Sequence, residues 1–173
     1  MKDKTIIIIN GHGGVGKDTL CKYFCQYYNG MIISMITPIK QKAKRIGWKG
    51  DKDDESRAFL SDLKKLLNKY FKECDSYIFD MVEKFDRSDK KVLFIQMREP
   101  DDIERFDKAL TDKGYRVKTL LVRRKDATKQ FGNEADDNVF DYGYDYIFDN
   151  DDPIEMAHNK FVMLIKDAVF KEG

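Results

Sequence analysis

The residues best equipped for chemistry lie in Asn10-Gly11-His12-Gly13-Gly14-Val15-Gly16-Lys17-Asp18-Thr19, where four glycines precede one lysine. The run fits G-x-x-x-x-G-K, with Gly11, Gly16 and Lys17 in register and Asp18 where Ser or Thr is usual. Gly11, Gly13, Gly14 and Gly16 let backbone N–H groups, that of Val15 among them, converge on anionic oxygens without Cβ clashes. A helix opening at Lys17 adds partial positive charge there. Lys17 would reach β- and γ-phosphate oxygens as a mobile point charge, with Thr19 closing the phosphate-binding run. Asp18 offers a hard carboxylate oxygen that suits Mg²⁺, directly or through water.

Such a loop needs a buried strand before it and a helix after it. Thr5-Ile6-Ile7-Ile8-Ile9 predicts the strand, and Leu20, Phe24, Tyr27 and Tyr28 predict one apolar helix face. Met31–Ile36 reads as a second strand, and Thr37-Pro38 as N-cap and first turn of a helix that Gly47-Trp48-Lys49-Gly50 ends. Asp51 to Glu55 reads as an acidic linker. Two core-facing helix stripes follow: Phe59, Leu60, Leu63, Leu66, Leu67 and Tyr70, then Cys74, Tyr77, Ile78, Met81 and Phe85. Val92–Met97 is a third strand, and Glu99-Pro100-Asp101-Asp102 opens a helix with Ile103, Phe106 and Leu110 inward and Gly114 at its end. Val117, Thr119 and Leu121 mark a fourth strand, Tyr144–Phe148 a fifth, and residues from Pro153 onward a terminal amphipathic helix. Residues 126–141 fit either a short helix or a loop.

Strands alternating with helices predict an α/β fold of three layers, a five-stranded mostly parallel sheet with helices on both faces. Ligands bind such sheets beyond the carboxyl ends of the strands. Gly11, Thr37, Arg98, Arg123 and Asn150 each follow a predicted strand end and are expected on one rim. The 173 residues suit one domain over 1–173, with a helical insertion at about 38–88 and a short lid at about 123–141. With 32 Lys and Arg against 31 Asp and Glu, the net charge of +1 predicts no bulk attraction to nucleic acid. Cys21, Cys25 and Cys74 lack metal spacing and read as reduced thiols, which points to the cytoplasm. No signal peptide or membrane-length apolar run is recognisable.

In their order, Gly16-Lys17-Asp18-Thr19, Pro38-Ile39-Lys40, Arg57 with Phe59-Leu60, Met97-Arg98, Leu121-Val122-Arg123-Arg124 and Tyr144-Asp145-Tyr146-Ile147 to Asn150 resemble the deoxynucleoside monophosphate kinase family. This is one branch of the phosphate-loop proteins, and its Gly-Lys-Asp form is shared with animal-type phosphomevalonate kinase. The resemblance implies ATP and Mg²⁺ at the loop and a monophosphate acceptor beside the helical insertion. It implies acceptor-side cations at Lys40, Arg57 and Arg98, with Arg98 also catalytic alongside Lys17. It implies lid arginines at Arg123 and Arg124 on the transferring group, and places Asn150 near adenine. Gln96 stands where related kinases often place an aspartate; it can hydrogen-bond to a metal-bound water but supplies no charge.

The leading expectation is ATP-dependent phosphoryl transfer to a small phosphate-bearing acceptor, foremost a (deoxy)nucleoside monophosphate. Phosphomevalonate and dephospho-coenzyme A are rival acceptors, and a nucleotide binder without turnover is the rival class. A guanine-specific switch is disfavoured, since Asn159-Lys160 continues as Phe161-Val162 and not with the required aspartate.

Overall fold

The computed structural model describes residues 4–51, 53–125 and 138–170, excluding the side chains of Asn138 and Phe170. Strands β1 (Thr5–Asn10), β2 (Gly30–Ser34), β3 (Val92–Gln96), β4 (Arg116–Arg123) and β5 (Tyr146–Asp149) form one sheet in the order β2-β3-β1-β4-β5. The helices are α1 (Lys17–Tyr27), α2 (Thr37–Arg45), α3 (Asp54–Phe71), α4 (Glu73–Arg87), α5 (Pro100–Asp112) and α6 (Ile154–Phe170). The chain divides into two compact units, a sheet unit of Met1–Ile32 with Asp89–Gly173 and a helical unit of Ile33–Ser88.

In the sheet unit β1 lies between β3 and β4 and is parallel to both, with Ile9 opposite Gln96 and Asn10 opposite Leu121. All six of its residues are buried, which explains an uninterrupted β-branched run without polar alternation. Each buried isoleucine contributes about 1.5–3 kcal/mol. Ile7 and Ile9 join Leu20, Cys21 and Phe24 of α1 and Phe161 and Ile165 of α6 in one cluster. Ile6 and Ile8 therefore point to the opposite face. The crossovers explain the layering: α1 leaves β1 toward the β2 edge, whereas α5 carries the chain from β3 past β1 to β4. Right-handed crossovers in opposite directions set their helices on opposite faces, giving the three-layer phosphate-loop architecture.

Some boundaries differ from the sequence expectations, each for a local reason. β5 starts at Tyr146 because Asp145 uses its side chain instead: its Oδ2 accepts from the Thr119 backbone N–H at 2.7 Å and from the Thr119 hydroxyl at 3.0 Å. On α1 Tyr27 is exposed, and Cys21 takes its place on the buried face. Ile154 of α6 is likewise exposed, whereas Ala157, Phe161, Ile165 and Ala168 are buried.

Within the helical unit α2, α3 and α4 pack on one another. Thr37 is the first residue of α2 and not its cap; Ile36 holds the cap position, and no side chain caps that end. Asp53 begins α3 by accepting from the Ser56 N–H at 2.7 Å, so part of the expected linker is a helix start. α3 and α4 are separated by Lys72 alone, whose φ of 52° is left-handed, and Asn68 Oδ1 caps the new helix at Cys74 N. Cys74, Ile78, Val82 and Phe85 of α4 are buried, close to the predicted stripe. No residue of the α3 stripe is fully buried: Leu60, Leu63 and Leu67 are half-buried, while Leu66 and Tyr70 are 54% and 63% exposed. Helical spacing shows which residues share a face, not whether that face is covered.

At the packing of α1 on α6, His158 stacks on Tyr23 with ring centroids 3.9 Å apart, and its buried Nε2 has no partner among the described residues. His158→Phe keeps the stacking and removes the unsatisfied nitrogen. It is expected to raise stability by about 1 kcal/mol. A shift of the urea midpoint upward supports this; a downward shift shows that Nε2 is satisfied in solution.

Candidate functional site

The candidate site begins where β1 ends. Between Asn10 and Lys17 the loop carries left-handed backbone at Gly14 and Gly16, with φ of 82° and 92°, and Gly11 at 144°. Gly11 runs so close to β4 that a Cβ would lie 2.3 Å from the Val122 carbonyl oxygen. At Gly16 a Cβ would lie 2.5 Å from Asn150 Nδ2. Gly11 is thus required by conformation and by fixed backbone beside it, and Gly16 by its left-handed conformation, with the Asn150 side chain packed where a Cβ would stand. Gly16 is the N-cap of α1 and no side chain caps that end, so its first N–H groups lack intrahelical acceptors. Val15 is buried under the loop, whereas Gly14, Asp18 and Thr19 are exposed.

Lys17 folds back over this loop. Its Nζ donates to the carbonyl of Gly11 and, at 2.9 Å, to that of His12. The ammonium is therefore held against the same backbone turn whose N–H groups would meet an anion. His12 stacks obliquely on Phe140, with centroids 5.2 Å apart.

Two asparagines brace the loop from outside. Asn10 is fully buried; its Oδ1 accepts from Gly11 N at 2.7 Å, and its Nδ2 donates to the Arg98 carbonyl at 2.9 Å and to Tyr144 Oη at 2.7 Å. Tyr144 in turn donates to the Val139 carbonyl at 2.9 Å. Asn150 donates through Nδ2 to the Val15 carbonyl at 2.8 Å, and its backbone N–H donates to the Arg123 carbonyl at 2.8 Å. The side chain expected near adenine is thus committed to the loop. Sequence reasoning missed Asn10 and Tyr144; an asparagine closing a run of isoleucines was the available signal for a buried polar anchor.

Asp18 and Gln96 meet: Gln96 Nε2 donates to Asp18 Oδ1 at 2.7 Å. The arginines are distributed less uniformly. Arg98 is exposed just past β3, and Arg124 is exposed just past β4. Arg123 forms a fork with Asp149, its cross-strand neighbour, with Nε–Oδ1 2.8 Å and Nη2–Oδ2 2.9 Å. That hydrogen-bonded pairing holds the Asp149 carboxyl below its usual range and raises the Arg123 guanidinium. Gly11, Arg98, Arg123 and Asn150 do lie at the carboxyl ends of neighbouring strands of the sheet unit, while Thr37 belongs to the helical unit. Lys40 and Arg57 also belong to the helical unit; Lys40 is exposed on α2, and Arg57 pairs loosely with Asp54 at 3.7 Å. Most of the expected lid, residues 126–137, lies outside the described residues.

The thiols are not candidates for chemistry. Cys21 and Cys74 are buried, and burial raises the Cys21 thiol well above its ordinary range and pushes Cys25 up to about 11. Among the described residues no group of three His, Cys, Asp or Glu side chains could hold a metal by itself. No helix among them is long and apolar enough to cross a membrane.

If Asn150 braces the loop, Asn150→Asp replaces a donor by a second acceptor facing the Val15 carbonyl. This variant is expected to lose about 1–3 kcal/mol of stability. A downward shift of the urea midpoint checks this; an unchanged midpoint would separate Asn150 from the loop.

Neither a protein-family model nor a curated protein sequence matches the chain. Solved structures do. The fold is similar to that of a candidate kinase from Chloroflexus aurantiacus, with TM-score 0.62, 14% identity and 96% of each chain covered. A tunicamycin resistance protein from Deinococcus radiodurans matches with TM-score 0.58 and 15% identity over 94% of this chain and 95% of that one. Dephospho-CoA kinase from Campylobacter jejuni matches with TM-score 0.57 and 12% identity, over 96% and 97%. At these identities the likeness establishes the fold alone, which this chain shares with these proteins.

Proposed function

We propose that this protein is an ATP-dependent phosphotransferase acting on a small phosphate-bearing acceptor, foremost a (deoxy)nucleoside monophosphate. The observation that carries the reading is the loop itself: glycines in positive-φ backbone at the carboxyl end of the central parallel strand, with Lys17 Nζ drawn onto the loop and a helix behind it whose N-terminus no side chain caps. Phosphoryl transfer needs little covalent help from a protein; positioning and charge neutralisation supply most of the catalysis.

Each residue then has a defined task. The N–H groups of Gly13, Gly14, Val15, Gly16 and Lys17 cradle the β-phosphate, and Lys17 exchanges its loop carbonyls for β- and γ-phosphate oxygens. Arg98, just past the end of β3, neutralises the acceptor phosphate and the developing charge. Arg124 and, once released from Asp149, Arg123 stabilise the group in transfer. Asn150 keeps the loop in shape on its adenine side.

The residues fit a nucleotide-bound Mg²⁺: the exposed Asp18 carboxylate is a hard oxygen ligand beside the loop, and phosphate oxygens and water would complete the set. Mg²⁺ bound there would neutralise charge on the transferring phosphates. The similarity to a dephospho-CoA kinase keeps dephospho-coenzyme A among the acceptors to be assayed. The Arg123–Asp149 fork favours one second reading, a nucleotide binder without turnover, because it occupies an arginine the reaction would use.

Coupled turnover with a panel of nucleoside monophosphates, phosphomevalonate and dephospho-coenzyme A tests the reading. Lys17→Ala is expected to lower turnover by at least about 100-fold in a folded protein. Arg98→Ala is expected to raise the acceptor KM or lower kcat while leaving ATP affinity unchanged. ATP binding without turnover on any acceptor would leave the second reading, and a Lys17→Ala variant as active as its parent would overturn both.

A further inference from the structure

Asp18 and Gln96 come from different elements, the first turn of α1 and the last residue of β3, and each departs from what the loop pattern leads one to expect. Their contact, at 2.7 Å, joins an anionic acceptor to a neutral donor. The choice of donor has consequences. A Lys or Arg at position 96 would fix Asp18 equally well but cancel its charge. An Asp or Glu there would oppose it with a like charge at contact distance. An amide fixes the carboxylate and leaves its charge whole.

Fixing matters because Asp18 is exposed on the first turn of a helix, where an unbonded carboxylate samples several rotamers. Gln96 is itself anchored: it ends a strand whose preceding residues are buried, and it is paired in register with Ile9 of β1. The amide thus ties Asp18 to β3, the strand paired with the one that feeds the phosphate loop. One lone pair of Oδ1 is occupied by Nε2, while Asp18 retains its other oxygen.

Resting on the phosphate-loop reading above, we infer that Gln96 is a positioning residue for Asp18, holding a singly charged carboxylate where the divalent cation of the bound nucleotide is met. Gln96 acts through Asp18 and has no separate role in nucleotide affinity. The Gln96 amide therefore tunes binding of Mg²⁺-ATP and leaves metal-free ATP alone, whereas the Asp18 charge bears on both. This kind of outer support changes metal affinity by about 10–100-fold where it has been removed from metal sites.

Calorimetric titration of the full chain with ATP in EDTA and with ATP plus excess Mg²⁺ gives two affinities, and their ratio is the readout. Gln96→Ala is expected to lower Mg²⁺-ATP affinity about 10-fold with metal-free affinity unchanged. Gln96→Lys is expected to abolish the Mg²⁺ preference and strengthen metal-free ATP binding, since the new cation neutralises Asp18. In the Asp18→Asn background, Gln96→Ala should change neither affinity. A merely structural role for Gln96 would lower both affinities together and would persist in the Asp18→Asn background, overturning the inference. If Asp18→Asn removes the Mg²⁺ preference while Gln96→Ala and Gln96→Lys do not, the positioning role falls and the phosphate loop stands. If the parent binds ATP under neither condition, the loop reading fails and takes the inference with it.

Discussion

Between β1 and α1 the chain turns from the buried centre of a parallel sheet into a helix while its backbone presses against β4. The limiting contact is Gly11 on the Val122 carbonyl, where no side chain fits. That close approach follows from the sheet order, which puts β4 directly beside β1 with Asn10 opposite Leu121. The turn must therefore use positive-φ backbone that only glycine adopts without cost, and neighbours fix its course. Asn10 anchors the loop at its start and Asn150 at Val15. Neighbours in space but not in sequence, β1, β3, β4 and β5 each contribute a strand end or an adjoining residue to this bracing.

The same arrangement explains how charge can be local in a chain of balanced composition. Burying β1 on both faces leaves polar groups only at the strand ends, and those ends collect the loop, Lys17, Asp18, Gln96, Arg98 and the Arg123–Asp149 fork. Lys17, Asp18 and Arg123 each meet a defined partner there, so small changes of partner alter electrostatics directly. Lys17 on loop carbonyls and Arg123 on Asp149 are both cations whose present partners a phosphate could replace. Arginine forks and ammonium donors exchange partners readily where both states are solvated.

Much of this was legible in the sequence because the signals were redundant. Four consecutive isoleucines, a glycine-rich turn and a lysine identify β1, the loop and α1 independently, and the strand–helix alternation then predicts the layers. Positions fixed by side-chain hydrogen bonds were harder to see. Nothing local says that Asp145 would replace a strand pairing, that Asn150 would turn to Val15, or that Asn10 would reach Tyr144. Those bonds join residues 26 to 135 positions apart. Periodicity failed on α3 for a different reason: it reports a face, and Leu66 and Tyr70 show that the face is open. The departures at Asp18 and Gln96 were visible one by one, but only the packing of α1 beside β3 shows them as a pair.

The central claim, that this loop takes the phosphates of ATP, is most directly tested by titrating ¹⁵N-labelled protein with Mg²⁺-ATP and following backbone amide resonances. The largest shifts are expected at Gly13, Gly14, Val15, Gly16, Lys17 and Asp18, saturating together with one affinity. Shifts confined to other parts of the chain, with these amides unmoved at saturating nucleotide, would contradict it.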